Sequence, residues 1–282
     1  MLQRTLGNSL SIQGIGLHSG REATIELSPA ESGGIVFRPK ARPSLELAGS
    51  YRNVQSTNLG TTIGFEDGQM RVLTIEHLMA AIWACDLDNL LIELEGEEIP
   101  ALDGSSRCFM DKISSSGVTE LPASREVLRI RKGVVAGDQS GSIAIEPADG
   151  FSIDMTVSFD YGNIGAQHYF FDGSRETFRR ELAGARTFCS SRDIEAMREA
   201  GLALGGSLEN ALVFGDGGIL NPRLILQERE VVKHKVLDCL GDLRSSGYSD
   251  LRGALVAQRS GHRLNNELLR KIFSDESNYT IE

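Results

Sequence analysis

In the first part of the chain, apolar and polar positions alternate in short runs (LSIQGI, ATIEL, IVFR and TTIGF) with Gly-rich turns between them. A period of two predicts β-strands. At Thr74 the period changes. TIEHLMAAIWAC places Ile75, Leu78, Met79 and Ile82 on one helical face, with Thr74 as the expected N-cap. Asp86, Asp88 and Asn89 then turn the chain into another strand, LLIELE. Residues 114–124, SSSGVTELPAS, have linker composition. Beyond them EVLRIR, SIAIE, FSIDMTVSF, QHYFF and, later, RGALVA read as strands. Helices are expected over residues 174–182, 193–200 and 227–243, and in NNELLRKIF. Both halves run strands, a helix carrying a histidine, then a strand, which suggests a structural duplication. Helices set against mostly antiparallel strands make this an α+β chain.

Bulk properties narrow the function. A formal charge of −10 and only 6% aromatic residues argue against a nucleic-acid surface, which needs cations and stacking platforms. No apolar run reaches the ~20 residues of a spanning helix, and the amino-terminal MLQRTLGNSLSIQ has no signal-peptide core. Cys85, Cys108, Cys189 and Cys239 are widely spaced, without a CxxC pair. They fit a reducing, cytoplasmic setting better than a disulfide scaffold.

Three segments could carry chemistry. In EREVVKHKVLDCLGDL, Val232, Val236, Cys239, Leu240 and Leu243 form an apolar stripe, while His234, Asp238 and Asp242 recur at i, i+4 and i+8 on another side. A histidine and a carboxylate four residues apart can reach one metal ion, though a solvated polar face has the same pattern. Glu76 and His77 are adjacent at a helix start and could supply a base and a ligand, but they match no zinc-protease motif. His262, in RSGHRLNN, sits in a turn where an acid or base could act. No P-loop, GxGxxG or GxSxG occurs, which disfavours nucleotide hydrolysis, dehydrogenase and serine-hydrolase chemistry.

Taken together, GIGLHSG, TIEHLMAAIWACDLDNLLIELEGEEIPALDGSS, ARTFCSSRDIE, GLALGGSLENA, VKHKVLDCLGDL and SGHRLNNELL resemble the UDP-3-O-acyl-N-acetylglucosamine deacetylase (LpxC) family of lipid A biosynthesis, in its order and nearly end to end. The resemblance implies one zinc ion (Zn2+) per chain, held by His77, His234 and Asp238. It implies Glu76 as general base, His262 as the acid or oxyanion stabiliser oriented by Asp242, and Thr187 as an oxyanion donor. Lys235, Phe188, Leu17 and His18 would meet the substrate, a UDP-linked acylated glucosamine. The implied fold is two similar two-layer α/β sandwich domains, residues 1–118 and 125–282, each with a small insert and the active site between them. The second insert, near residues 188–213, would be a strand–helix–strand unit guiding the acyl chain past Ile194, Met197, Leu202 and Leu212. A soluble monomer with no nucleic-acid partner is expected. The chain departs from the family at FDYG, where Tyr161 and Gly162 fall in a region expected near the nucleotide, and in the lead-in RLILQEREVVKHK. Competing readings are a zinc amidohydrolase for another N-acyl sugar and a sugar-nucleotide binder without activity. A small-molecule kinase is disfavoured for want of a phosphate loop.

Overall fold

The computed structural model describes residues 1–222 and 228–282. Two sheets carry the architecture. The first is built from β2 (Leu10–Ile15), β3 (Glu22–Pro29), β4 (Ile35–Pro39), β5 (Leu47–Ala48) and β9 (Leu90–Glu95), in the order β2-β3-β9-β4-β5. All pairs are antiparallel except β4 with β9. The second contains β12 (Val134–Asp138), β13 (Gly141–Glu146), β14 (Phe151–Phe159), β15 (Gly165–Phe171) and β19 (Asp250–Gln258), with β11 (Val127–Ile130) and β20 (Tyr279–Ile281) extending it. Its central run, β12-β13-β19-β14-β15, has the same pairing senses, with β14 parallel to β19. Helices α1 (Glu76–Ala84) and α2 (Arg107–Ser115) accompany the first sheet, and α5 (Glu230–Arg244) and α6 (His262–Ile272) the second. Each half therefore runs four strands, helix, strand, helix. The duplication suggested by the sequence pattern is present as a repeat of topology.

Each half also carries an insertion between its fourth strand and first long helix. In the first half it forms a small sheet of β6 (Val54–Ser56), β7 (Thr62–Gly64) and β8 (Arg71–Val72). In the second, α3 (Arg175–Thr177) and a π-helical turn at Phe178–Leu182 lead into β16 (Phe188–Ser190), α4 (Ile194–Glu199), β17 (Leu212–Gly215) and β18 (Gly218–Ile219). Because β16 and β17 are parallel, α4 is the crossover between them.

Several local expectations need correction. Thr74 does not cap α1. Its φ is +60°, its hydroxyl donates to Glu98, and Ile75 holds the cap position without a side-chain bond. The helix is buried on every side, not on one face, because α5 covers what would have been its solvent face. Nor are residues 114–124 a linker: α2 runs through Ser115, and β10 (Val118–Ser124) pairs antiparallel with β1 (Leu2–Leu6). Arg125 follows directly. Its buried guanidinium binds Asp88 at 2.6 Å and also meets Asp86, tying this segment to the turn after α1. The expected helix start at Gln227 lies outside the described residues.

The two repeats meet where α1 crosses α5. A Cβ on Gly241 would lie 2.0 Å from the main-chain oxygen of Glu76. In an isolated helix Gly→Ala is stabilising by about 1 kcal/mol. Here Gly241→Ala is expected to destabilise by about 1–3 kcal/mol, the usual cost of overpacking, read as a lowered urea midpoint.

Candidate active site

The amino-terminal end of α1 and one side of α5 close a cleft with the loop before α6. Asp238 is buried, and its Oδ1 has no hydrogen-bond partner among the described residues. That atom lies 3.4 Å from Nε2 of His77 and 3.3 Å from Nε2 of His234. The other oxygen, Oδ2, accepts from Lys235 at 2.7 Å. His234 donates from Nδ1 to the Ala185 carbonyl at 3.0 Å, which fixes the tautomer and leaves the Nε2 lone pair toward Asp238. Burial takes this imidazole down to about 3, against the pull of Asp238. Burial also acts to raise Asp238, but His234, Lys235 and His262 overcome it and hold the carboxyl well below the usual range. Burial acts to lower the His77 imidazole, but Asp238 and Glu76 outweigh it and raise the ring. The two imidazole nitrogens and the ionised oxygen converge on one point. His77, His234 and Asp238 could hold a metal ion.

A second cluster stands beside it. Burial pushes the Glu76 carboxyl up, although His262 and His77 pull the other way. His262 donates from Nδ1 to Asp242 Oδ2 at 2.9 Å, and its Nε2 points toward Glu76 Oε1 at 3.9 Å and Asp238 Oδ2 at 3.7 Å. Burial would lower this imidazole, but Asp242, with Glu76 and Asp238 behind it, outweighs burial and Lys235. The ring is pushed up to about 9. The turn expected at His262 is the first turn of α6.

The cleft, about 370 Å³, is lined by Thr187, Phe188, Lys235, Arg259 and His262 among others. Leu59, Thr187 and Phe188 also line a neighbouring apolar cavity of about 330 Å³, so the two spaces adjoin. The cavity takes Leu17, His18, Ile194 and Met197 as well. Leu202 and Leu212 do not line it; Leu212 lies in β17 and packs into the core. Tyr161 packs on Phe159 and Phe214, and Gly162 sits directly against Phe214. Phe188 stands edge-on to His234. Lys235 lines the cleft, but its ammonium is engaged by Asp238.

Three residues with positional roles are absent from the sequence reading. Thr61 bonds both Glu76 and Asp242. Asn265 donates to Asp242 Oδ2 at 2.8 Å and is itself held by Ser260. Glu98, buried, accepts from the main-chain N–H groups of His18 and Ser19 and from Thr74. The LNN and EGEE stretches that contain Asn265 and Glu98 were visible in the sequence, but no spacing rule marks them out. His18 is thereby clamped, with Nε2 donating to the Leu59 carbonyl and Nδ1 accepting from the Ala203 N–H.

Comparison with known proteins gives the same direction. The family model described as "LpxC: UDP-3-O-acyl N-acetylglycosamine deacetylase" matches residues 3–274. The chain belongs to the LpxC family. A UDP-3-O-acyl-N-acetylglucosamine deacetylase of Myxococcus xanthus is 44% identical, over 99% of this chain and 88% of its own length. Proteins of the same name from Citrifermentans bemidjiense and Nitratiruptor are 40% and 39% identical over the whole chain, covering 92% and 93% of their lengths. Among the described residues of this LpxC member, no helix is long and apolar enough to cross a membrane, and all four cysteines are free.

Removing the Glu98 carboxylate would strand two main-chain donors and the Thr74 hydroxyl. Glu98→Ala is expected to cost about 2–4 kcal/mol, at about 1–3 per orphaned group with partial relaxation, measured by urea unfolding.

Proposed function

We propose that this chain is a zinc-dependent deacetylase that hydrolyses the acetamide of UDP-3-O-acyl-N-acetylglucosamine to acetate and the free amine, a step of lipid A biosynthesis carried out by a cytoplasmic monomer. The observation that carries the proposal is the unpartnered, buried Oδ1 of Asp238 between the Nε2 atoms of His77 and His234, beside Glu76 and His262. A buried carboxylate oxygen left without a donor is costly unless a cation satisfies it. The residues therefore fit the ion: His77, His234 and Asp238 would hold it. Three protein ligands are the number a catalytic zinc site uses. When bound, zinc supplies Lewis acidity toward the amide carbonyl and the attacking water.

The remaining work falls to this chain's side chains. Glu76, from Oε1, takes the proton of the attacking water as its oxygen adds to the acetyl carbon. The Thr187 hydroxyl donates to the oxygen that gains charge. His262 carries its proton on Nε2, kept there by Asp242, and delivers it to the amide nitrogen as the C–N bond breaks. The apolar cavity beyond Leu59, Thr187 and Phe188 takes the 3-O-acyl chain, while the cleft side near Lys235 takes the sugar nucleotide. In this reading residues 1–118 and 125–282 are the two domains, and the site lies between them.

Metal content and turnover measured on one purified sample test this. About one zinc per chain is expected, with activity lost on chelation and restored by zinc. Metal-free protein with full turnover would refute the ligand assignment. Equal rates on acylated and non-acylated UDP-N-acetylglucosamine would sink the substrate assignment. Glu76→Gln should keep the metal and lose about 10²–10⁴-fold in kcat, whereas His234→Ala should lose metal and activity together.

A further inference from the structure

Glu76 and Asp242 come from different repeats, yet both carboxylates are bonded to one residue of a third element. Thr61 is 2% exposed, at the end of the turn before β7. Its main-chain N–H donates to Glu76 Oε2 at 2.9 Å, and its hydroxyl donates to Asp242 Oδ1 at 2.6 Å. The same hydroxyl oxygen lies 3.4 Å from His262 Nδ1. We propose that Thr61 is a positioning residue that holds the proposed base and the carboxylate partner of the proposed acid in one fixed arrangement. This rests on the roles assigned above to Glu76 and His262.

Two features make the arrangement specific. Thr61 engages Oε2 of Glu76, which leaves Oε1 as the oxygen facing His262 Nε2 and the cleft. It thus selects which carboxylate atom meets the water. Asp242 accepts from three donors: Thr61 on Oδ1, and His262 and Asn265 on Oδ2. Its plane, and through it the His262 ring, cannot turn without losing one of them. Placing donors between two carboxylates also offsets their mutual repulsion, which is large at low local dielectric.

Thr61 is itself fixed from the far side. Leu59, two residues earlier, has φ +57° and its carbonyl accepts from His18, whose other ring nitrogen accepts from Ala203 in the second insertion. The turn is thus pinned between the insertion and the base. A β-branched residue restricts χ1, so the hydroxyl is directed as well as present.

Thr61→Val keeps shape and main-chain N–H and deletes only the hydroxyl. Its kcat on the acylated substrate is expected to fall about 10- to 100-fold, the scale of one hydrogen bond to a charged group. KM and metal content should stay within about twofold, and Thr61→Ser should recover most of the rate. In an Asp242→Ala background the same substitution should change kcat little, because the effect runs through Asp242. An unimpaired Thr61→Val, losses that simply add, or a loss explained by KM or metal content overturns the role. If Thr61→Val does not fold, Thr61→Ala is read in the same way. An inactive wild type would overturn the proposed function and this role with it; an active wild type with an unimpaired Thr61→Val overturns this role alone.

Discussion

The site depends on how closely two helices can approach. Gly241 of α5 lies against the main chain of Glu76 on α1, with no room for even a methyl group. That contact brings Glu76 and His77 of one repeat within reach of His234, Asp238 and Asp242 of the other. Neither helix alone offers more than part of a donor set. Side chains four residues apart on α5 give His234 and Asp238, and only the crossing brings His77 and Glu76 to them. Because both helices are almost wholly buried, small changes in their separation are transmitted to the polar groups and not absorbed by solvent.

Burial on this scale has an electrostatic cost. Glu76, His77, His234, Asp238 and Asp242 are all nearly inaccessible, with Lys235 and His262 only slightly more open. The structure offsets this unevenly. Asp242 has every acceptor site that matters occupied, and Arg125 neutralises Asp86 and Asp88 at the turn after α1. Asp238 is the exception, with one oxygen engaged by Lys235 and one left bare. A buried carboxylate oxygen without a hydrogen-bond partner, set between two imidazole nitrogens, points to a ligand more sharply than a cluster of acidic groups does.

Much of this was legible in the chain. Alternating runs located the strands, the apolar stripe of α5 is buried, and the strand–helix–strand insertion formed where expected. His77, His234 and Asp238 lie together in the fold, as do His262 and Asp242. What failed has physical reasons. Thr74 looked like a cap, but its hydroxyl is claimed by Glu98, twenty-four residues away. Residues 114–124 had linker composition, yet an edge strand paired, among the described residues, with β1 alone tolerates Pro122. Thr61, Glu98 and Asn265 were missed because each acts through partners brought in by the fold; Thr61 meets Asp242 across 181 residues of chain. No periodicity records such pairs. The repeat itself survives as strand order and pairing sense, which tolerate wholesale replacement of side chains.

That repeat has a consequence for what one polypeptide can do that a symmetric pair of identical subunits cannot. Two copies of one repeat related by a twofold axis would present every group twice across the helix crossing. Each added function would arrive with its mirror, like charges facing like charges at the centre. Joining the copies in tandem breaks that equivalence. One helix is free to keep an adjacent carboxylate and imidazole at its tip, while its counterpart spreads an imidazole and two carboxylates along its length. Division of labour among these carboxylates and imidazoles thus becomes a property of sequence divergence within a single chain.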